Sequence, residues 1–180
     1  MKRNGIFFVT AVAVITILIG AGNANAQIRE TKGDSKDVRL GAGFNAGLPL
    51  DDNYRIALGG DLRLQKDFFS NISATLSAGY THFSYTDELQ TLTGKNGIGY
   101  IPVKAGIKIF PVEHLYISGE VGAAFGAEKN QGTALVYAPG VGFGFNNGLD
   151  LGLRYEGFAK DGNNLGQVAL RLAYGFNLSK

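Results

Sequence analysis

The sequence contains no cysteine and no tryptophan, and only one methionine, four prolines and two histidines among its 180 residues. Without cysteine there is no disulfide framework, no thiolate metal site, no cysteine nucleophile and no lipid-anchored lipoprotein. The two histidines, His82 and His114, stand alone in the chain, and one histidine beside Glu113 does not make a metal site. Charged residues are 18 %, below the usual quarter, and the net charge of +2 is small and evenly spread, so no nucleic-acid partner is expected. After residue 27 no helical period of useful length and no long apolar run is found. A hydrophobic share of 45 % still argues against a disordered chain. What is abundant is glycine, 27 residues, about twice average usage.

The first 26 residues read as a secretory signal peptide. Lys2 and Arg3 precede an apolar run from Ile6 to Ile19 broken only by threonine, and Ala24-Asn25-Ala26 before Gln27 forms an A-x-A cleavage site. A helix over that run would be about 21 Å long, short of the roughly 30 Å hydrocarbon core, so a membrane anchor fits less well. Lys2 and Arg3 are the only charges before Gln27, which leaves 15 cations against 15 anions beyond it. Residues 27–37 form a short polar segment, and 38–180 a single domain.

That domain is built of alternating segments. Val168, Leu170, Leu172, Tyr174, Phe176 and Leu178 interleave with Ala169, Arg171, Ala173, Gly175 and Asn177, which is strict period two. The same pattern recurs over 149–156, 135–145, 115–125, 101–109, 72–80, 55–65 and 38–48, giving eight strands. Polar loops at Leu50–Asn53, Thr86–Asn96, Glu128–Gly132 and Lys160–Gly166 alternate with tighter turns around Phe69-Ser70-Asn71, Pro111-Val112-Glu113 and Asn146-Asn147-Gly148. Short turns at one end and longer loops at the other are the pattern of an outer-membrane barrel.

Volume decides which face points outward. Eight strands enclose a space just wide enough for side chains, and the Leu, Ile, Val, Phe and Tyr set is too bulky to fit there. The opposite set, mostly Gly, Ala and Ser with a few long charges, fits. A soluble ligand-binding barrel would need a charged outer face, and this one would be glycine-rich. Segments of about eleven residues also match a tilted bilayer crossing. The expected fold is therefore all-β: an eight-stranded antiparallel up-and-down transmembrane β-barrel with its apolar face in lipid. Pro102 and Pro139 sit awkwardly in such strands, and a bulge at either would shift parity locally.

Signal peptide, eight period-two segments and alternating loop lengths together resemble the small outer-membrane β-barrel family that includes OmpX and the membrane domain of OmpA. The resemblance covers about Val38 to Leu178 and is one of pattern, without a single diagnostic motif. It implies residence in the cell outer membrane among its lipid and lipopolysaccharide. It also implies assembly by the outer-membrane insertion machinery and periplasmic chaperones, and a monomer. Members usually end on an aromatic residue; here Phe176 is followed by Asn177-Leu178-Ser179-Lys180.

Parity places Arg39, Arg55, Arg63, Lys104, Lys108, Arg154 and Arg171 inward, together with Asp61, Glu120, Asp150 and Glu156. Buried charges require partners, so a salt-bridge network filling the lumen is expected, with a narrow anion-preferring channel as the rival. His82-Phe83-Ser84 resembles the H-x-S element of outer-membrane lipid A deacylases, yet the acid that would orient the histidine has no counterpart, with Asn96 in its place. Gly140, Gly142 and Gly144 mimic a phosphate loop but lie within a strand, so no cofactor is expected. No catalytic, cofactor-binding or metal residue is assigned. Tyr54, Phe83, Tyr85, Tyr100 and Phe158 near one rim, and Phe68, Phe110 and Phe145 near the other, are expected to form aromatic girdles. The function read from this pattern is structural or surface-interacting. A small-solute channel is the alternative, and a lipid A hydrolase stands further off.

Overall fold

The computed structural model describes residues 38–69 and 71–178. The signal segment with Ala24, Ala26 and Gln27, and the polar stretch 27–37, lie outside the described residues. Eight strands follow in order: β1 Val38–Pro49, β2 Tyr54–Phe69, β3 Ile72–Tyr85, β4 Gly97–Ile109, β5 Leu115–Gly126, β6 Thr133–Gly144, β7 Leu149–Lys160 and β8 Asn163–Asn177. Each pairs antiparallel with the next, and β1 closes on β8 from Arg39↔Asn177 to Pro49↔Gln167. Closure leaves no unpaired edge, which is the condition for strands to stand in lipid. Among the described residues no helix is long and apolar enough to cross a membrane.

The period-two alternation sorts the side chains as expected. Leu62 is 58 % exposed and Leu170 55 %, whereas Lys104 is 2 % exposed and Arg171 3 %. Leu40, Leu76, Ile107, Val121, Leu135, Leu151 and Leu153 share the outer face. A continuous apolar belt of this extent has no place on a water-soluble monomer. It suits a barrel whose outer solvent is hydrocarbon.

Two connections depart from the sequence reading. The stretch Lys160–Gly166 is not a loop: strands run on to a two-residue turn at Asp161 and Gly162, with φ of 50° and 79°. Two successive positive φ angles are the type I′ geometry that Asp-Gly favours, so the signal lay in the dipeptide. The long loop carries a helix, α1, over Asp87–Thr93. Seven residues are too few to show an amphipathic period, although Asp87 and Glu88 in the first turn and left-handed Gly94 after the last suit helix ends. Neither proline makes a bulge. The β3–β4 ladder skips from Ala78↔Val103 to Thr81↔Tyr100, and the β6–β7 ladder from Tyr137↔Gly157 to Gly140↔Arg154, each resuming in the same register. A missing N–H therefore costs local pairs without adding a residue, while Pro102 and Pro139 keep their pairs with β5. The register shifts fall instead on β2, between Tyr54 and Ile56 and between Asp67 and Phe69.

The aromatic girdles are only partly as expected. Phe83, Tyr100 and Phe158 turn into the lumen and are buried there, with Tyr54 packed beside them. At the turn end Phe110 packs on Tyr116, which is itself buried. The exposed aromatics are Tyr80 and Phe125 towards the loops, Phe44 midway along β1, and Phe68, Phe69, Phe143, Phe145, Tyr174 and Phe176 towards the turns. Phe83, Tyr100 and Phe158 share the parity of Ser77, Lys104 and Arg154, so alternation had assigned them inward. Proximity to the rim had suggested otherwise.

Candidate functional site: the barrel lumen

Three layers fill the interior. The middle one is ionic. On β8, Arg171 lays its Nε and Nη2 against Asp61 of β2 at 2.7 to 3.2 Å and extends Nη1 to Asp150 of β7 at 3.2 Å. Asn45 donates to the same Asp61 at 2.8 Å. Asp150 also accepts from Lys108 Nζ at 2.6 Å and from Tyr116 Oη at 2.8 Å, and the Lys108 ammonium sits 4.0 Å from the Tyr116 ring centre. Such a cation over an aromatic face adds to the carboxylate contact.

A second carboxylate centre lies across the barrel. Arg63 of β2 donates to Glu120 of β5 at 3.0 Å, and Thr75 and Ser77 of β3 donate to its other oxygen at 3.3 Å. Lys104 of β4 stands between Glu120, at 3.8 Å, and Glu156 of β7, which it contacts directly. Gln167 donates to Glu156 at 2.9 Å. Arg154 lies 3.4 Å from Glu156 and 4.0 Å from both Asp61 and Glu120. Strands β2 and β5, or β2 and β7, are not neighbours, so these contacts span the lumen instead of lining its wall. Glycine makes the room: a Cβ at Gly43 would come within 2.8 Å of the Arg171 guanidinium, and one at Gly106 within 2.7 Å of Glu120 Cγ.

The loop-end layer is apolar. Phe83 and Phe158 meet edge to face at 5.4 Å, and Tyr100 lies 5.1 Å from Phe158, amid Ala57, Ala124, Ala134 and Val136. Towards the turns, Ser73 donates to Asp67 at 2.6 Å, Gln65 donates to the same carboxylate at 3.1 Å, and Arg39 lies 3.6 Å from it.

Of the eleven inward charges read from the sequence, nine meet in the network: Asp61, Arg63, Lys104, Lys108, Glu120, Asp150, Arg154, Glu156 and Arg171. Arg39 stands near the rim with Asp67. Arg55 lies outside the lumen, its side chain 60 % exposed, and pairs with Asp87 of α1 at 3.0 Å. It occupies the register shift at the start of β2, where strict alternation no longer assigns a face. Asn45, Gln65, Asp67, Ser73, Thr75, Ser77, Tyr116 and Gln167 were missed. All lie on inward parity; the uncharged ones were passed over by following charge alone, and Asp67 because the sequence reading ended its strand at residue 65 while β2 runs to Phe69.

Among the described residues no hydrogen bond joins His82 to Ser84. The His82 ring stacks on Tyr80, whose hydroxyl is 3.5 Å from Nδ1. Among the described residues the histidine that meets a carboxylate is His114, 3.8 Å from Glu113. At the loop end Lys95 bridges to Glu128 at 2.6 Å, tying the α1 loop to the β5–β6 loop, and that carboxylate holds the Lys95 ammonium above its ordinary pKa.

An inside-out, closed, eight-stranded barrel with an ion-paired lumen defines the class of small transmembrane β-barrels. Among solved structures the chain is similar to Ail, the attachment invasion locus protein of Yersinia pestis (TM-score 0.56, 19 % identity, covering 78 % of this chain and 99 % of Ail). It is likewise similar to the N-terminal β-barrel domain of Pseudomonas aeruginosa OprF (0.53, 12 %, 78 % and 98 %) and to the de novo designed TMB2.3 (0.53, 14 %, 82 % and 100 %). At these identities the likeness is one of fold. No protein-family model matches the chain, and neither does any curated relative.

Proposed function

We propose that this protein is a small outer-membrane barrel with a structural or surface-interaction role in the envelope. In this reading it is exported by a signal peptide cut after Ala26, inserted by the outer-membrane assembly machinery with periplasmic chaperones, and surrounded as a monomer by lipid and lipopolysaccharide. The observation that carries the reading is the filled lumen, with cross-barrel ion pairs in the middle and an aromatic plug at the loop end. A water-filled path needs a wider barrel than eight strands supply. The expected result in a planar bilayer is no stable conductance, for the wild type and after Arg154 or Arg171 substitution alike. Stable channels whose conductance changed with Arg154 or Arg171 would make it a pore. Lipid A deacylation lost on replacing His82 or Ser84 would make it an enzyme.

The charge of the loop end bears on which surface partner is expected. Ail has been solved in complex with sucrose octasulfate, a heparin analogue. Here the loop end offers Asp51, Asp52, Asp87, Glu88, Glu128 and Asp161 against Arg55, Lys95, Lys129 and Lys160. That balance repels a polyanion, so sulfated saccharide is not the expected ligand. The helix α1, with Leu92 at its exposed tip, is the most prominent feature presented outward.

A further inference from the structure

The ionic layer does not balance. Arg63, Lys104, Lys108, Arg154 and Arg171 are five buried cations, and Asp61, Glu120, Asp150 and Glu156 are four carboxylates facing them. Arg39 and Asp67 form their own pair nearer the turn-end rim and leave that count unchanged. One formal positive charge is therefore surplus in a region whose loop end the apolar plug closes. An uncompensated buried charge is among the most costly features a fold can carry.

The surplus has a location. Arg154 makes no hydrogen bond through Nε or Nη1, and its carboxylate neighbours stand no nearer than 3.4 Å. The Nε of Arg63 is likewise without an acceptor. Both arginines are more than nine-tenths buried, and both line one cavity of about 10 Å³ shared with Arg171, Tyr116, Ser118 and Glu120. Every unmatched atom on these two arginines is a donor. Glu120 is the one acid on the wall, and its oxygens are already taken by Arg63, Thr75 and Ser77. The residues that carry the unused N–H groups and the unbalanced charge thus line one empty volume.

We propose that this cavity is a binding site for one small monovalent anion, a halide such as chloride, held by Arg63 and Arg154 and closing the charge balance of the lumen. A water molecule would fit the volume and accept from these donors, yet would leave the charge unmatched. Sulfate or phosphate is too large. The ion would be a fixed part of the packed interior, since the aromatic cluster above it closes the way to the loop end.

Folded protein in detergent, crystallised with sodium bromide in place of chloride, tests this directly. An anomalous scattering peak beside Arg63 and Arg154 is expected. A map showing only water there, with the network otherwise intact, would overturn the proposal. In solution, the urea midpoint at fixed ionic strength should be higher in chloride or bromide than in gluconate, which is too bulky to enter. Arg154→Gln, which brings the count to four against four, should abolish that difference. Equal midpoints for the wild type in chloride and gluconate would count against the site. Should Arg154→Gln fail to fold, the bromide map and the wild-type midpoints decide the matter.

Discussion

Leu153 and Arg154 are adjacent, and the barrel treats them oppositely. Leu153 faces outward and Arg154 is buried among carboxylates, so at the residue scale parity decides what a substitution does. Replacing Leu153 or Ile107 by arginine puts a charge into hydrocarbon and should lower stability by roughly 2–4 kcal/mol if the site is near the midplane. Urea unfolding in phospholipid vesicles measures it, and a harmless change at both would reverse the assignment of faces. Glu156→Gln keeps the shape but strips Lys104 and Arg154 of a charge partner. The cost should be about 3–5 kcal/mol, read in the same assay, because breaking a buried pair leaves the other ion uncompensated. Gly142→Leu is expected to fail differently. A Cβ there would already meet the Tyr116 hydroxyl at 2.3 Å, so overpacking should cost at least 1–3 kcal/mol.

Turns and strand ends carry the information at the level of elements. Asp161 and Gly162 connect β7 to β8 with both φ angles positive. Gly162→Val should therefore cost on the order of 1–2 kcal/mol from left-handed strain alone, seen as a lower melting temperature on heat-modifiable gel migration. A neutral outcome would mean that the turn relaxes to another type. The strands were legible because period two is written continuously along each of them. Helix α1 was not, since seven residues carry under two turns of pattern. The girdle was misread for a related reason: Phe83, Tyr100 and Phe158 sit where strands leave the membrane, and being near a rim does not say which way a ring tips. Their parity with Lys104 and Arg154 was the better guide.

For the whole molecule, the chain's lack of cysteine provides a clean test of orientation. With eight strands both ends of the barrel domain lie with the short turns, and the loops carrying α1 lie opposite. Leu92→Cys should react with a membrane-impermeant maleimide on intact cells, while Val112→Cys, in the β4–β5 turn, should react only after the membrane is broken. Labelling of Val112→Cys on intact cells would invert the topology. Both positions are exposed, so access to the reagent depends on the side of the membrane.

Strand number, closure and the choice of outer face were determined by the sequence alone, because each follows from local alternation and from the volume eight strands enclose. No knowledge of which strands meet across the lumen was needed for them. Only the tertiary structure decided the pairing inside. Arg63 meets Glu120 and Arg171 meets Asp61 across strands that share no ladder, at separations of 57 and 110 residues. The slip at the start of β2 that sent Arg55 out to Asp87 was also invisible, since parity has no memory beyond a shifted register. Which donors would be left over was likewise fixed only when five cations and four carboxylates were folded into one space. Charge balance in a closed interior is a property of the assembled barrel, and no single strand contains it.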